Sequence, residues 1–144
     1  MYLLSCFGKW ATSEGYPSLD KMGPPRKILV IDDDDLVRKS IQGLLRMEGY
    51  ESVCVKDAFE ALEKVKEANF DLIISDIRMP GMNGVEAVRE IRRMFDKNTK
   101  KQVPIIFVTG FAETSTELDA EKLGEVILKP FDFTRLAVTI REYL

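Results

Sequence analysis

From Lys27 onward, short unbroken apolar runs alternate with longer stretches in which apolar residues recur every three or four positions. Ile28-Leu29-Val30-Ile31 is a run of the first kind, suited to a strand buried on both faces. Val37, Ile41, Leu44 and Leu45 follow at helical spacing, with Gly49 as the stop. The alternation then repeats. Glu51 to Val55 predicts a second strand, and Ala58, Ala61, Leu62 and Val65 predict a second helix capped by Asp57. Leu72 to Ser75 predicts a third strand, followed by a helix marked by Val85, Val88 and Ile91. Ile105 to Val108, entered by Pro104, predicts the fourth strand, and Val126 to Leu128 the fifth. Between them, Glu113 to Lys122 predicts a weaker helix with few apolar positions and several Thr and Ser residues. Phe133, Leu136, Ala137, Ile140 and Leu144 line a last helix. Successive β-α units imply an α/β fold, a doubly wound five-stranded parallel sheet joined by right-handed crossovers. A ligand crevice in such a sheet lies at the carboxyl ends of the strands, near a switch in strand order.

Composition narrows what such a domain does. The chain has 144 residues, room for one domain and one core. A net charge of -3 gives no reason to expect nucleic acid, and the basic stretch from Arg89 to Lys101 reads as a solvated helix face and loop. No apolar stretch approaches the roughly 20 residues of a membrane span. Residues 1–25 lack a clear period and end in the breaker Gly23-Pro24-Pro25. They are expected to be an N-terminal extension ahead of a domain at 26–144. It is either an arm packing through Tyr2, Leu3, Leu4, Phe7 and Trp10, or a mis-called start upstream of Met22. It has no basic n-region or convincing cleavage site, so a signal peptide is not expected. Cys6 and Cys54 have no metal-ligand spacing and read as reduced thiols of a cytoplasmic protein. There is no histidine, which removes Ser-His-Asp and Cys-His catalysis, histidine-ligated metals and any phosphohistidine on this chain.

The remaining chemistry is carboxylate, hydroxyl and lysine, and it falls at the predicted strand ends. The first strand is followed by Asp32 to Asp35, the third by Asp76, the fourth by Thr109, and the fifth by Lys129-Pro130. Clustered acids at a strand end repel one another and lose hydration, which is costly unless a cation offsets it. Asp32, Asp33 and Asp76 form a hard oxygen set suited to Mg²⁺. The metal would leave Asp76 ionised as a nucleophile able to accept a phosphoryl group as an acyl phosphate. Lys129 would neutralise charge on the transferring group, and the Thr109 hydroxyl would bond one of its oxygens. Asp34 and Asp35 fall past the acidic pair and read as the cap and first turn of the first helix.

Four segments, in order, carry a family resemblance: Ile28-Leu29-Val30-Ile31-Asp32-Asp33-Asp34, Asp76-Ile77-Arg78-Met79-Pro80-Gly81-Met82-Asn83-Gly84, Val108-Thr109-Gly110 and Leu128-Lys129-Pro130-Phe131. Over about Lys27 to Leu144 the chain closely resembles the receiver domain of bacterial two-component response regulators. The resemblance implies a flavodoxin-like (βα)5 fold with strand order 2-1-3-4-5. It implies that Asp76 takes phosphate from a sensor histidine kinase or phosphotransfer protein. Mg²⁺ would be held by Asp32, Asp33, Asp76 and the backbone carbonyl of Arg78, with Thr109 as switch hydroxyl and Lys129 as phosphate-binding lysine. It further implies a cis Lys129-Pro130 bond, and output to a target protein or homodimer through the fourth helix, fifth strand and fifth helix (α4-β5-α5). Such a protein would be labelled once and decay slowly rather than turn over. Arg78 and Phe111 would flank the phosphate and affect its hydrolysis.

Two departures from the family pattern bear on signal readout. Val126 stands where relatives usually carry a Tyr or Phe, and the stretch from Thr109 to Lys129 is a little short. Two alternatives follow. One is a receiver-like interaction module that takes no phosphate. The other is a haloacid-dehalogenase-like phosphatase with Asp33 and Asp35 as its acid pair, which would leave Asp76 and its Met-Pro-Gly turn unexplained and would turn over a small ester. No recognisable output domain follows Leu144, so the chain is expected either to act alone on a partner or to be part of a longer regulator.

Overall fold

The computed structural model describes residues 23–96, 102–110 and 114–144. Five strands, β1 (Lys27–Ile31), β2 (Glu51–Val55), β3 (Leu72–Ser75), β4 (Ile105–Thr109) and β5 (Glu125–Leu128), alternate with five helices. The helices are α1 (Asp35–Met47), α2 (Ala58–Glu67), α3 (Gly84–Asp96), α4 (Thr114–Leu123) and α5 (Phe133–Tyr143). The strands form one parallel sheet in the order β2-β1-β3-β4-β5, which is the flavodoxin-like order that the resemblance implies.

The unbroken apolar runs follow from burial on both faces. In β1, Leu29 and Ile31 join one apolar cluster with α2 and α3 residues such as Ala61, Val88 and Ile91. Ile28 and Val30 join the opposite cluster with Ile41 and Leu45 of α1 and Leu136 and Ile140 of α5. β1, β3 and β4 are buried along nearly their whole length, while the edge strands β2 and β5 are only partly so. Both ends of α1 are set by local chemistry. Asp34 accepts the N–H groups of Leu36 and Val37, and Gly49, at φ 85°, closes the other end. There the N–H of Gly49 donates to the Arg46 carbonyl and that of Tyr50 to the Leu45 carbonyl, the Schellman pattern. Asp57 caps α2 as expected, accepting the N–H of Glu60 at 2.8 Å.

Three differences from the sequence expectation concern edges and exposure. β1 and β5 begin one residue earlier than the apolar runs, and β4 extends to Thr109. Phe133 does not line the buried face of α5: it is half exposed and packs edge-on against Phe131, ring centroids 5.5 Å apart. The helix expected at Glu113 to Lys122 runs from Thr114 to Leu123. Residues 1–22, with Cys6 and the apolar positions of the expected arm, lie outside the described residues, as does Phe111. Cys54 is a free thiol, half-buried, and burial pushes its pKa up. Among the described residues no helix is long and apolar enough to cross a membrane.

Candidate phosphoacceptor site

The chain crosses from β1 to β2 on one side and returns to β3 on the other, so order switches between β1 and β3. Ile31 of β1 is in register with Ser75 of β3, which sets Asp32 and Asp76 side by side just past the paired residues. The N–H of Asp76 donates to the Ile31 carbonyl at 2.8 Å, and that of Asp32 to the Val55 carbonyl at 3.2 Å. Beyond these bonds both chains leave the sheet.

The four consecutive acids divide between two tasks. Asp32 is buried, and its Oδ1 accepts the N–H of Asp34 at 2.9 Å. Asp34 caps α1. Asp35 lies in the first turn of α1, exposed and turned to Lys39 and Arg38, each 2.9 Å away. The hydrogen bond and charge of Lys39, with a smaller share from Arg38, hold its carboxyl below the ordinary value. Asp35 is therefore turned away from the role that an acid pair with Asp33 would require.

Asp76 is nearly buried. Its Oδ1 accepts the N–H of Ile77 at 2.7 Å and of Arg78 at 3.3 Å, bonds that fix the carboxylate plane. Its Oδ2 faces Lys129 Nζ at 3.1 Å, and the same Nζ lies 2.9 Å from Asp32 Oδ2. Burial on its own would depress the Lys129 ammonium. The hydrogen bond to Asp32 and the charges of Asp76 and Asp32 together outweigh it, so the pKa is raised. Lys129 is held in turn by its backbone, whose N–H donates to the Thr109 carbonyl at 2.7 Å. Thr109 is buried at the end of β4, and the Lys129-Pro130 bond is cis, as the resemblance implies.

Carboxylate oxygens of Asp32, Asp33 and Asp76 lie within 4.8 Å of one another, with Asp33 exposed at the mouth. Three carboxylates face one ammonium, so negative charge remains in excess, and every donor is a hard oxygen. Such a set fits a hydrated divalent cation that keeps several waters. An open crevice of about 340 Å³ beside it is lined by Asp33, Arg78, Met79, Pro80 and Asn83. The Arg78 side chain is exposed.

Three residues reach this site without having been singled out from the sequence. Gly84, named there only as the end of a resemblance segment, begins α3, and a Cβ on it would sit 1.9 Å from the Asp76 carbonyl oxygen. Ser75, fully buried, donates its hydroxyl to that carbonyl at 2.8 Å. Arg38 bonds the Asp32 carbonyl at 2.7 Å. The Asp-x-x-Arg spacing signals the pairing of Arg38 with Asp35, but nothing in the sequence signals its reach back to Asp32. Val126 is half-buried, opposite Phe107 in the sheet and packed on the cluster beneath α2 and α3.

The family model described as the response regulator receiver domain matches residues 28–141. The chain belongs to this family. Over 119 residues the receiver domain is 38% identical to the transcriptional regulatory protein ZraR of Klebsiella oxytoca, covering 81% of this chain and 26% of that protein. The chain thus spans about a quarter of the length of that relative. Among solved structures, the receiver domain is similar to the chemotaxis protein CheY4 of Vibrio cholerae. The TM-score is 0.74 at 31% identity, over 84% of this chain and all of that one. It is also similar to the response regulator TrrA of Thermotoga maritima, solved in complex with Mg²⁺ and BeF. There the TM-score is 0.72 at 34% identity, over 83% of this chain and 99% of that one.

Proposed function

We propose that this receiver domain is a phosphorylation switch in which Asp76 accepts a phosphoryl group from a phosphohistidine of a sensor kinase or phosphotransfer protein. The observation that carries the reading is the position of Lys129 Nζ, within 3.1 Å of both Asp32 and Asp76 although the three residues come from three different strand ends. In the transfer, an Asp76 carboxylate oxygen bonds phosphorus as the phosphorus–nitrogen bond breaks, and the bonding pair leaves with the donor's imidazole. Lys129 then exchanges a carboxylate for a phosphoryl oxygen, and Thr109 offers its hydroxyl to another. Asp32, Asp33 and Asp76, with the Arg78 carbonyl, would hold Mg²⁺, which neutralises charge developing on the transferring group. That TrrA was solved in complex with Mg²⁺ and BeF supports a Mg²⁺ site in this chain.

A phosphoryl group on Asp76 adds charge beside Thr109 and biases the surface of α4, β5 and α5 toward a second arrangement. That surface would bind a target protein or a second copy of the chain, in the cytoplasm. Each molecule would be labelled once and would decay slowly rather than act as a turnover enzyme.

The test is incubation with acetyl phosphate and Mg²⁺ followed by intact mass measurement. One phosphoryl adduct on the wild type, absent from Asp76→Ala, is expected. An unlabelled wild type would leave an interaction module that takes no phosphate, and an equally labelled Asp76→Ala would move the acceptor elsewhere.

A further inference from the structure

Successive side chains of a strand point to opposite faces, so Asp32 and Asp33 could not both face Asp76 on an extended chain. Yet carboxylate oxygens of all three lie within 4.8 Å of one another. The chain must turn at this point and hold the turn against the repulsion of the acids. The Asp32 carbonyl is the first oxygen past the end of β1, in a residue only 2% exposed, and it needs a partner. Arg38 supplies one, donating from one guanidinium nitrogen to that carbonyl at 2.7 Å. The other terminal nitrogen bonds Asp35 at 2.9 Å, and the side chain is only 18% exposed. The planar fork therefore spans the turn from Asp32 to Asp35, with Asp33 between its two anchors.

We propose that Arg38 is the positioning residue of the metal site, bracing the turn so that Asp32 and Asp33 present their carboxylates to one cation. The inference rests on the Mg²⁺ reading above. It has a diagnostic sign, because Arg38 has two opposite effects on a bound cation. As a positive charge nearby it repels Mg²⁺, so its removal by charge alone would tighten binding. As a brace it organises the ligands, so its removal would weaken binding.

The experiment titrates the full chain with MgCl2 by calorimetry, with amide shifts of Asp33 and Asp34 followed by NMR and thermal stability measured alongside. Loss of a group that orients metal ligands typically weakens binding by about 10- to 100-fold, so Arg38→Met is expected to raise the Mg²⁺ Kd by about tenfold. Arg38→Lys, which keeps the charge but cannot span both anchors, is expected to weaken binding to a lesser degree, and it carries the test if Arg38→Met does not fold. An unchanged or tighter Kd in either folded variant, with the wild type binding normally, overturns the brace and leaves the switch reading standing. A wild type that binds no Mg²⁺ at millimolar concentration overturns both.

Discussion

Lys129 is a cation set between two buried carboxylates, and its two contacts make it a structural group as well as a candidate catalytic one. Removing one partner of such a cluster leaves the others desolvated and uncompensated. Lys129→Met is therefore expected to lower the urea midpoint at neutral pH, with millimolar Mg²⁺ restoring part of the loss by binding the folded state. The pH dependence follows from the direction of the shift. The folded pKa lies above the ordinary 10.5, so the stabilisation is complete below that value and fades as pH climbs through the still higher folded one. Urea midpoints of wild type and Lys129→Met should keep a constant separation near neutrality and converge above about pH 10.5. A separation that persisted undiminished into that alkaline range would show that Lys129 acts through packing rather than charge. Its place as a strand-end residue was legible from Leu128-Lys129-Pro130. Its partners were legible only through the topology, because both come from strands far away in the chain.

The helices divide by how they are held, and the division explains which were easy to read. α1 has a cap at each end and Ile41 and Leu45 in the core, all local or periodic signals. α4 has one fully buried apolar side chain, Ala120, while its Leu118 is half exposed. Polar contacts from α3 add to this small apolar seam. Arg92 donates to the Leu123 carbonyl at 2.7 Å, at the negative end of the helix dipole, and Arg89 pairs with Asp119 at 3.9 Å. Contacts of that kind leave no mark on hydrophobic periodicity, so the helix looked weak in sequence although it is formed. A hydrogen bond to a charged group contributes about 1.5–3 kcal/mol, so Arg92→Met should cost α4 about tenfold in amide protection while the sheet stays unchanged. Hydrogen exchange by mass spectrometry on the unmodified protein checks this. Equal exchange in α4 of the two proteins would mean that its apolar contacts suffice.

Across the whole molecule, the sheet hides its apolar strands but ends in an exposed edge. β5 lies between Ala120 and Leu123 on one face and Leu136 and Ile140 on the other, yet Leu128 is half exposed. Phe133 and Val138 on α5 and Leu118 on α4 are exposed too, giving this side several apolar groups in contact with water. If this is the output surface, Leu128→Lys combined with Phe133→Ser should leave labelling of Asp76 intact. The pair should also abolish beryllofluoride-dependent association, with itself or with a target, as read by sedimentation velocity. Association that survives would place the output on another face. Fold class was readable because the β-α alternation repeats, strand order came only with the family resemblance, and the acids of the site were visible because they cluster at strand ends. Arg38, Ser75 and Gly84 were not, because their contacts are to main-chain atoms and depend on how closely two elements approach. The separation of the site along the chain has a last consequence, for synthesis. Asp32 and Lys129 are 97 residues apart, and the three acids all precede the lysine. A nascent chain that has emerged only as far as Asp76 carries the repelling acids but not the ammonium that reconciles them. The charge cluster closes only when the last strand joins the sheet, so no chain that stops short of Lys129 can carry a complete site.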